Sequence, residues 1–357
     1  MVARRLDHDG VASAGVPWAP MKTMSLRPVA FLSAGLLLFA ACSGDNAATP
    51  APEPESVVGT LASTGAPLCA QGSPVAADLP DWPLGGGEEA RFLPVVISSL
   101  VTTGPNRFLY NVLDTSYRQL AAPGIASSVD FYALERDAET PVGRADAAYL
   151  SSGLGRGLYR ASVDFDCVGE WGAEVAVELT DGSVATERLR FAVHPNGDTP
   201  GIGQSVPLSD SLTATTPAEA ALISTDRHPY LPAYDKTVSE TVTAGRPSLV
   251  FFATPAFCQS GYCGPTVELV KSVAAENEGA VEFVNVEPYE LQMTDAGLQP
   301  RLDEAGQLQP VQAALDWGIP VEPYLFLLDA EGNVFARFEG IVGGEELRAA
   351  VEDALAA

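Results

Sequence analysis

The chain has 357 residues, with 20 basic side chains against 46 acidic ones, a formal net charge of −26 and 46% hydrophobic residues. A field this negative repels phosphate, which excludes nucleic acid and anionic lipid headgroups as electrostatically driven partners and names no substrate. Solubility in an exported protein accounts for the charge, and the length allows more than one domain.

Residues 1–20 fit no targeting pattern, because Asp7, His8 and Asp9 sit where basic residues belong. Met21 or Met24 is the better start, so this stretch reads as a misassigned N-terminal extension. Residues 21–42 follow the plan of an export signal: Lys22 and Arg27, then an apolar or small run from Val29 to Ala41. That run is too short to span a bilayer as a helix. It ends in Phe39-Ala40-Ala41-Cys42, which resembles a bacterial lipobox. The resemblance implies acylation of Cys42 and a lipid anchor on the extracytoplasmic face of a bacterial membrane, in the cell envelope. Residues 43–60 begin SGDNAATPAPEPE, rich in proline, alanine and acid with no apolar period, and read as an extended tether.

Residues 61–196 show short alternating runs. Strands are predicted near Leu93–Leu100, Arg107–Leu113, Val129–Leu134, Ala145–Leu150, Tyr159–Phe165, Trp171–Leu179 and Ala185–Val193. Turn residues separate them, among them Thr103-Gly104-Pro105-Asn106, Pro123-Gly124 and Asp181-Gly182. Seven short strands in about a hundred residues suggest an immunoglobulin-like β-sandwich. Trp171 is expected in its core, and His194 as an incidental polar residue at a strand end. Residues 197–217, rich in Gly, Pro, Ser and Thr, read as a linker.

Residues 218–357 carry the chemistry. A buried run, Leu249 to Ala253, breaks into a loop with Cys258 and Cys263, and Gly264-Pro265 opens a helical pattern through Val267, Leu269, Val270, Val273 and Ala274. Cysteines delivered to a helix N-terminus meet unpaired N–H groups and the positive end of the dipole, which stabilise thiolate. Further on come a strand at Val281–Val286, a short helix at Val311–Trp317, strands at Val321–Asp329 and Val334–Phe338, and a last helix at Glu345–Leu355. Phe251-Phe252-Ala253 and Cys263-Gly264-Pro265-Thr266 resemble the Phe-Trp-Ala and Cys-Gly-Pro-Cys of the thioredoxin superfamily.

That resemblance implies an α/β thioredoxin-like fold here, so that with the immunoglobulin-like β-sandwich before it the chain is expected to be multidomain. It also implies a cis-proline facing the cysteines, assigned to Pro323 over Pro320. The pattern departs from the family in two places. The spacing is C-x4-C rather than C-x-x-C, and Val250 stands where the family keeps a buried acid. The functional expectation is thiol–disulfide exchange with protein thiols or disulfides outside the membrane. Cys263 attacks from the helix start, Cys258 resolves, and Pro323 lines the groove. The competing reading is a non-enzymatic binding or scaffold lipoprotein in which Cys258–Cys263 is a structural bridge. A copper-handling protein using two thiolates is a third. Cys69 and Cys167 remain as an even pair, expected to form a structural disulfide. His228 has no assigned place. No nucleotide loop, histidine metal cluster or Ser-His-Asp set is apparent, so no cofactor and no metal are assigned.

Overall fold

A computed structural model describes residues 67–69, 81–83, 90–151, 156–179 and 181–357. The extension at 1–20, the export signal with Cys42 and the tether at 43–60 lie outside the described residues. Seven strands open the fold: β1 (Leu93–Val96), β2 (Gly104–Leu113), β3 (Ser127–Ala133), β4 (Gly143–Ser151), β5 (Gly157–Phe165), β6 (Gly169–Glu178) and β7 (Val184–Val193). All seven fall where alternation placed them. They join into one antiparallel sheet in the order β1-β2-β5-β4-β3-β6-β7.

This sheet corrects the immunoglobulin-like expectation. β4 pairs with β3 along one edge and with β5 along the other, so two facing sheets become one continuous sheet. The sheet then curls until its ends approach. Just beyond β1 and β7, Thr102 bridges His194, with His194 N–H donating to Val101 O at 2.9 Å and Thr103 N–H to His194 O at 3.1 Å. The result is close to a barrel. Its interior is aromatic: Phe108, Phe131 and Phe165 meet edge to face, and Trp171 also meets Phe165 edge to face while donating to Cys167 O at 3.1 Å. Aromatic packing of this kind adds roughly 0.5–1.5 kcal/mol per pair beyond area burial. Cys69 is disulfide-bonded to Cys167, with Cα atoms 5.0 Å apart, and both are buried.

Next come α1 (Pro217–Ile223), α2 (Val238–Val242), β8 (Ser248–Phe252), α3 (Cys263–Glu276), β9 (Glu282–Val286), β10 (Leu291–Thr294), β11 (Gly297–Pro300), α4 (Gln312–Asp316), β12 (Tyr324–Leu328), β13 (Val334–Glu339) and α5 (Gly344–Ala356). Thr216 and Thr237 start α1 and α2 with capping boxes closed by Glu219 and Glu240. β13-β12-β8-β9 form a four-stranded sheet in which β8 and β9 alone run parallel, while β10 and β11 make a separate hairpin. β8 and β12 are buried along their whole length, since each face carries its own core. Leu249, Phe251, Leu325 and Leu327 pack with α3 and α5; Val250, Phe252, Phe326 and Leu328 pack with Trp317.

The thioredoxin-like α/β assignment is also corrected. Among the described residues, thirteen strands stand against five helices, and the chain is predominantly β. α1, α2 and α4 have only seven, five and five residues, short of an average helix. The hairpin β10–β11 occupies a stretch that sequence periodicity left unassigned. The resemblance rested on two short motifs together with the order of elements after Leu249, and the strands of the chain as a whole outweigh it.

The large sheet and the last helix are held together by ions. Arg107 of β2 donates to Glu346 of α5 through Nε at 2.8 Å and Nη2 at 2.9 Å. It also donates to Glu339 O at 3.1 Å and to Ile341 O. Burial opposes the charge on Glu346, yet Arg107 and Arg160 hold its carboxyl below the usual range. Ser99 N–H donates to Glu339 Oε1 at 3.0 Å.

Candidate functional site

The site is built from the end of β8, the loop after it and the start of α3. Five buried residues carry the chain to Ala253 and Thr254, both fully buried, and the loop then turns outward. Gly261 lies in the left-handed region at φ 76°, which lets the chain reverse just before the helix. Cys263 is the first residue of α3 and is wholly buried, whereas Cys258 in the loop is half-buried. The two are disulfide-bonded, with Cα atoms 5.9 Å apart. The backbone N–H of Cys263 donates to Cys258 Sγ at 3.1 Å, so an unpaired donor of the helix start is aimed at the sulfur nearer solvent. The Ser260 hydroxyl lies 3.3 Å from that sulfur.

A second segment clamps the loop. Glu322, buried and next to the cis Glu322–Pro323 peptide, accepts Gln259 N–H on Oε1 at 3.2 Å and the Tyr289 hydroxyl on Oε2 at 2.7 Å. Its backbone carbonyl accepts Ser260 Oγ–H at 3.1 Å. Burial, followed by the neighbouring Glu322 carboxylate, pushes the Tyr289 hydroxyl upward, so that it stays a donor. Pro323 lies at the cysteine end of the sheet, because the next residue, Tyr324, pairs with Phe252.

A buried acid lies behind the loop. Glu287 follows β9, and burial raises its carboxyl to about 7. It accepts Thr225 N–H at 3.0 Å and the Thr225 hydroxyl at 2.9 Å; that hydroxyl in turn accepts Ala256 N–H at 3.2 Å. Val250 lies in the apolar core and supplies no proton chemistry.

The fold thus brings Cys258, Cys263 and Pro323 to one end of the four-stranded sheet. Cys69 and Cys167 belong to the other sheet's core, and Cys42 lies outside the described residues. His228 is exposed, its carbonyl accepting from Lys271, and His194 takes part in backbone pairing. Sequence reasoning missed Glu322, Tyr289, Glu287 and Thr225. Glu322 carried one usable sign, its place directly before Pro323; the other three are joined only by the fold. Among the described residues, no group of three or more His, Cys, Asp or Glu is placed to hold a metal ion. No helix among them is long and apolar enough to cross a membrane.

No family model and no curated protein matches the sequence. Among solved structures, a DUF4426 family protein from Pseudomonas aeruginosa PAO1 is 7% identical, with a TM-score of 0.22 over 31% of this chain and 98% of its own. The PmoD soluble domain from a Methylocystis species is 13% identical, with a TM-score of 0.21 over 31% and 97%. CopC from Methylosinus trichosporium OB3b is 16% identical, with a TM-score of 0.19 over 29% and 96%. These structures are β folds, not thioredoxin-like ones, and at such scores they carry no function to this chain.

Proposed function

We propose that Cys258 and Cys263 form a working dithiol–disulfide couple that exchanges with protein thiols outside the cell membrane. The observation that carries this reading is the unequal placement of the two sulfurs. Cys258 is open to a partner and receives a helix-start N–H, while Cys263 is shielded behind it. A partner thiolate attacks Cys258 Sγ, the Cys258–Cys263 bond breaks, and its electron pair leaves as the Cys263 thiolate. A second partner thiolate then attacks the mixed disulfide at the partner's sulfur and releases Cys258 as thiolate. The partner is oxidised by two electrons and this chain is reduced by two. In this reading Cys258, the more accessible sulfur, is the one that forms the mixed disulfide, in place of Cys263, which the helix start had favoured. Pro323 and the Glu322 carbonyl edge border the approach to Cys258.

Export and anchoring belong to the same reading. The lipobox-like Phe39-Ala40-Ala41-Cys42 and the acidic, proline-rich stretch after it support a lipid-anchored protein in a bacterial cell envelope. A second reading follows from the adjacency of the two sulfurs: once reduced, they would offer a linear thiolate pair to Cu(I).

The test is the reduction potential of Cys258–Cys263, read by alkylation and mass spectrometry so that Cys69–Cys167 is counted separately. A value of about −120 to −270 mV supports exchange, and one below about −300 mV makes the bridge a staple. Binding of one Cu(I) by the reduced protein, lost in Cys258→Ser, would favour the copper reading if exchange with model disulfides is absent.

A further inference from the structure

Ser260 stands between a reacting sulfur and the segment that clamps the loop. Its Oγ lies 3.3 Å from Cys258 Sγ and 3.1 Å from the Glu322 carbonyl oxygen, and it accepts the Tyr262 N–H at 3.3 Å. A serine hydroxyl has one proton and a disulfide sulfur has none, so Ser260 donates to one of these two neighbours at a time. While Cys258 is disulfide-bonded its sulfur is a weak acceptor, and the carbonyl takes the hydrogen bond. A thiolate reverses that order, because a hydrogen bond to an ionised acceptor is roughly twice as strong as one between neutral groups.

The change of acceptor costs little. Both acceptors are within reach of the same oxygen position, so rotation of the O–H bond is enough and no heavy atom has to move. The backbone on either side is held separately, by Gln259 N–H on Glu322 Oε1 at 3.2 Å and by Tyr262 N–H on Ser260 Oγ. Ser260 is exposed, so water takes over whichever acceptor the hydroxyl leaves. The Cys263 N–H already points at the same sulfur from 3.1 Å, so a backbone donor and a side-chain donor converge on it.

We propose that Ser260 is a catalytic residue of the couple, its hydroxyl turning from the Glu322 carbonyl to Cys258 Sγ as that sulfur becomes a thiolate. The assignment rests on the exchange reading of Cys258–Cys263. Ser260 acts when the mixed disulfide is resolved. The incoming partner thiolate bonds to the partner's sulfur, the bond from that sulfur to Cys258 breaks, and its electron pair stays on Cys258 Sγ. Ser260 keeps its proton and shares it with the leaving sulfur. The same contact favours the reduced form over the oxidised one and makes the couple more oxidising.

The test compares the full-length protein with Ser260→Ala and Ser260→Thr, each equilibrated with dithiothreitol at about pH 8, where thiolate is available. Peptides carrying Cys258 and Cys263 are followed by alkylation and mass spectrometry. Ser260→Ala should shift the equilibrium three- to tenfold toward disulfide, a potential about 14 to 30 mV more negative. A hydroxyl that only clamped the loop would act with the opposite sign, because its bond to the carbonyl belongs to the oxidised state. Ser260→Thr keeps the hydroxyl and should stay within about twofold of wild type. In Cys263→Ser carrying glutathione on Cys258, release by dithiothreitol should slow about threefold or more when Ser260→Ala is added. An unchanged equilibrium, a shift toward dithiol, or an unchanged release rate would each overturn the role of Ser260. The exchange reading is judged apart from it, by the absolute potential: a wild-type value below about −300 mV ends that reading, while the difference between variants still judges Ser260.

Discussion

Replacing Glu287 by glutamine should change how stability depends on pH more than it changes stability itself. The carboxyl titrates at about 7 in the folded chain against 4.5 as its ordinary value, and burial is the chief cause. A raised carboxyl binds its proton more tightly in the folded state, so the stabilisation is complete below about pH 4.5 and is lost as pH rises through about 7. The span is about 2.5 units, and at about 1.4 kcal/mol per unit the folded state loses roughly 3 kcal/mol across it. Glutamine occupies the same volume, accepts from Thr225 through its carbonyl oxygen and does not titrate. Urea unfolding of the wild type and Glu287→Gln at steps from pH 4.5 to 8.5 would show it. The stability difference should move in favour of the variant by roughly 3 kcal/mol between the two ends. A difference flat to within about 0.5 kcal/mol would refute the reasoning, and so would one that moved in favour of the wild type as pH rose.

Four other variants test separate parts of the account. Arg107→Met leaves the mostly buried Glu346 with Arg160 as its remaining guanidinium, and should cost about 3 kcal/mol in urea unfolding at pH 7. The penalty should shrink in acid as the depressed Glu346 carboxyl is protonated. Cys69→Ser with Cys167→Ser opens a bridge between residues 98 apart, and should lower stability by about 4 kcal/mol; a loss under about 1 kcal/mol would mean that the bridge constrains little. Gly261→Ala puts a side chain at φ 76° where its Cβ meets nothing within 4 Å, so the cost, about 1 kcal/mol by thermal melt, is conformational alone. Tyr289→Phe strips a donor from buried Glu322, and the reduction of Cys258–Cys263 by dithiothreitol should become several-fold faster as the loop loosens. An unchanged rate would show that the clamp does not hold the cysteines.

The first sheet was legible strand by strand because its interior is uniform. Val175 and Val177 alternate with the wetter Glu174, Ala176 and Glu178, and Val129 and Phe131 flank the half-buried Asp130, a period that shows in the chain itself. Its closure was not legible, since β4 is largely exposed and nothing in its composition says that it pairs on both edges. At the site, Cys258 and Cys263 were visible as a spaced pair before a helix. The contrast in their burial was not, because it depends on how α3 seats in the core. Glu322 meets Gln259 from 63 residues away and Tyr289 from 33, distances over which composition carries no pairing information. The thioredoxin-like reading failed at the scale of the whole chain, where the element order after Leu249 and two short motifs were weighed more heavily than the thirteen strands among the described residues.

The meeting of the chain beyond β1 with the chain beyond β7 has a bearing on how the protein behaves among copies of itself. An open antiparallel sheet leaves two rows of unsatisfied amides, and each row is a template for another chain. Here Val101 and Thr103 spend their backbone groups on His194, at the place where those rows would otherwise begin. Copies of the protein are thereby denied this stretch of the first sheet's edge as a template for pairing.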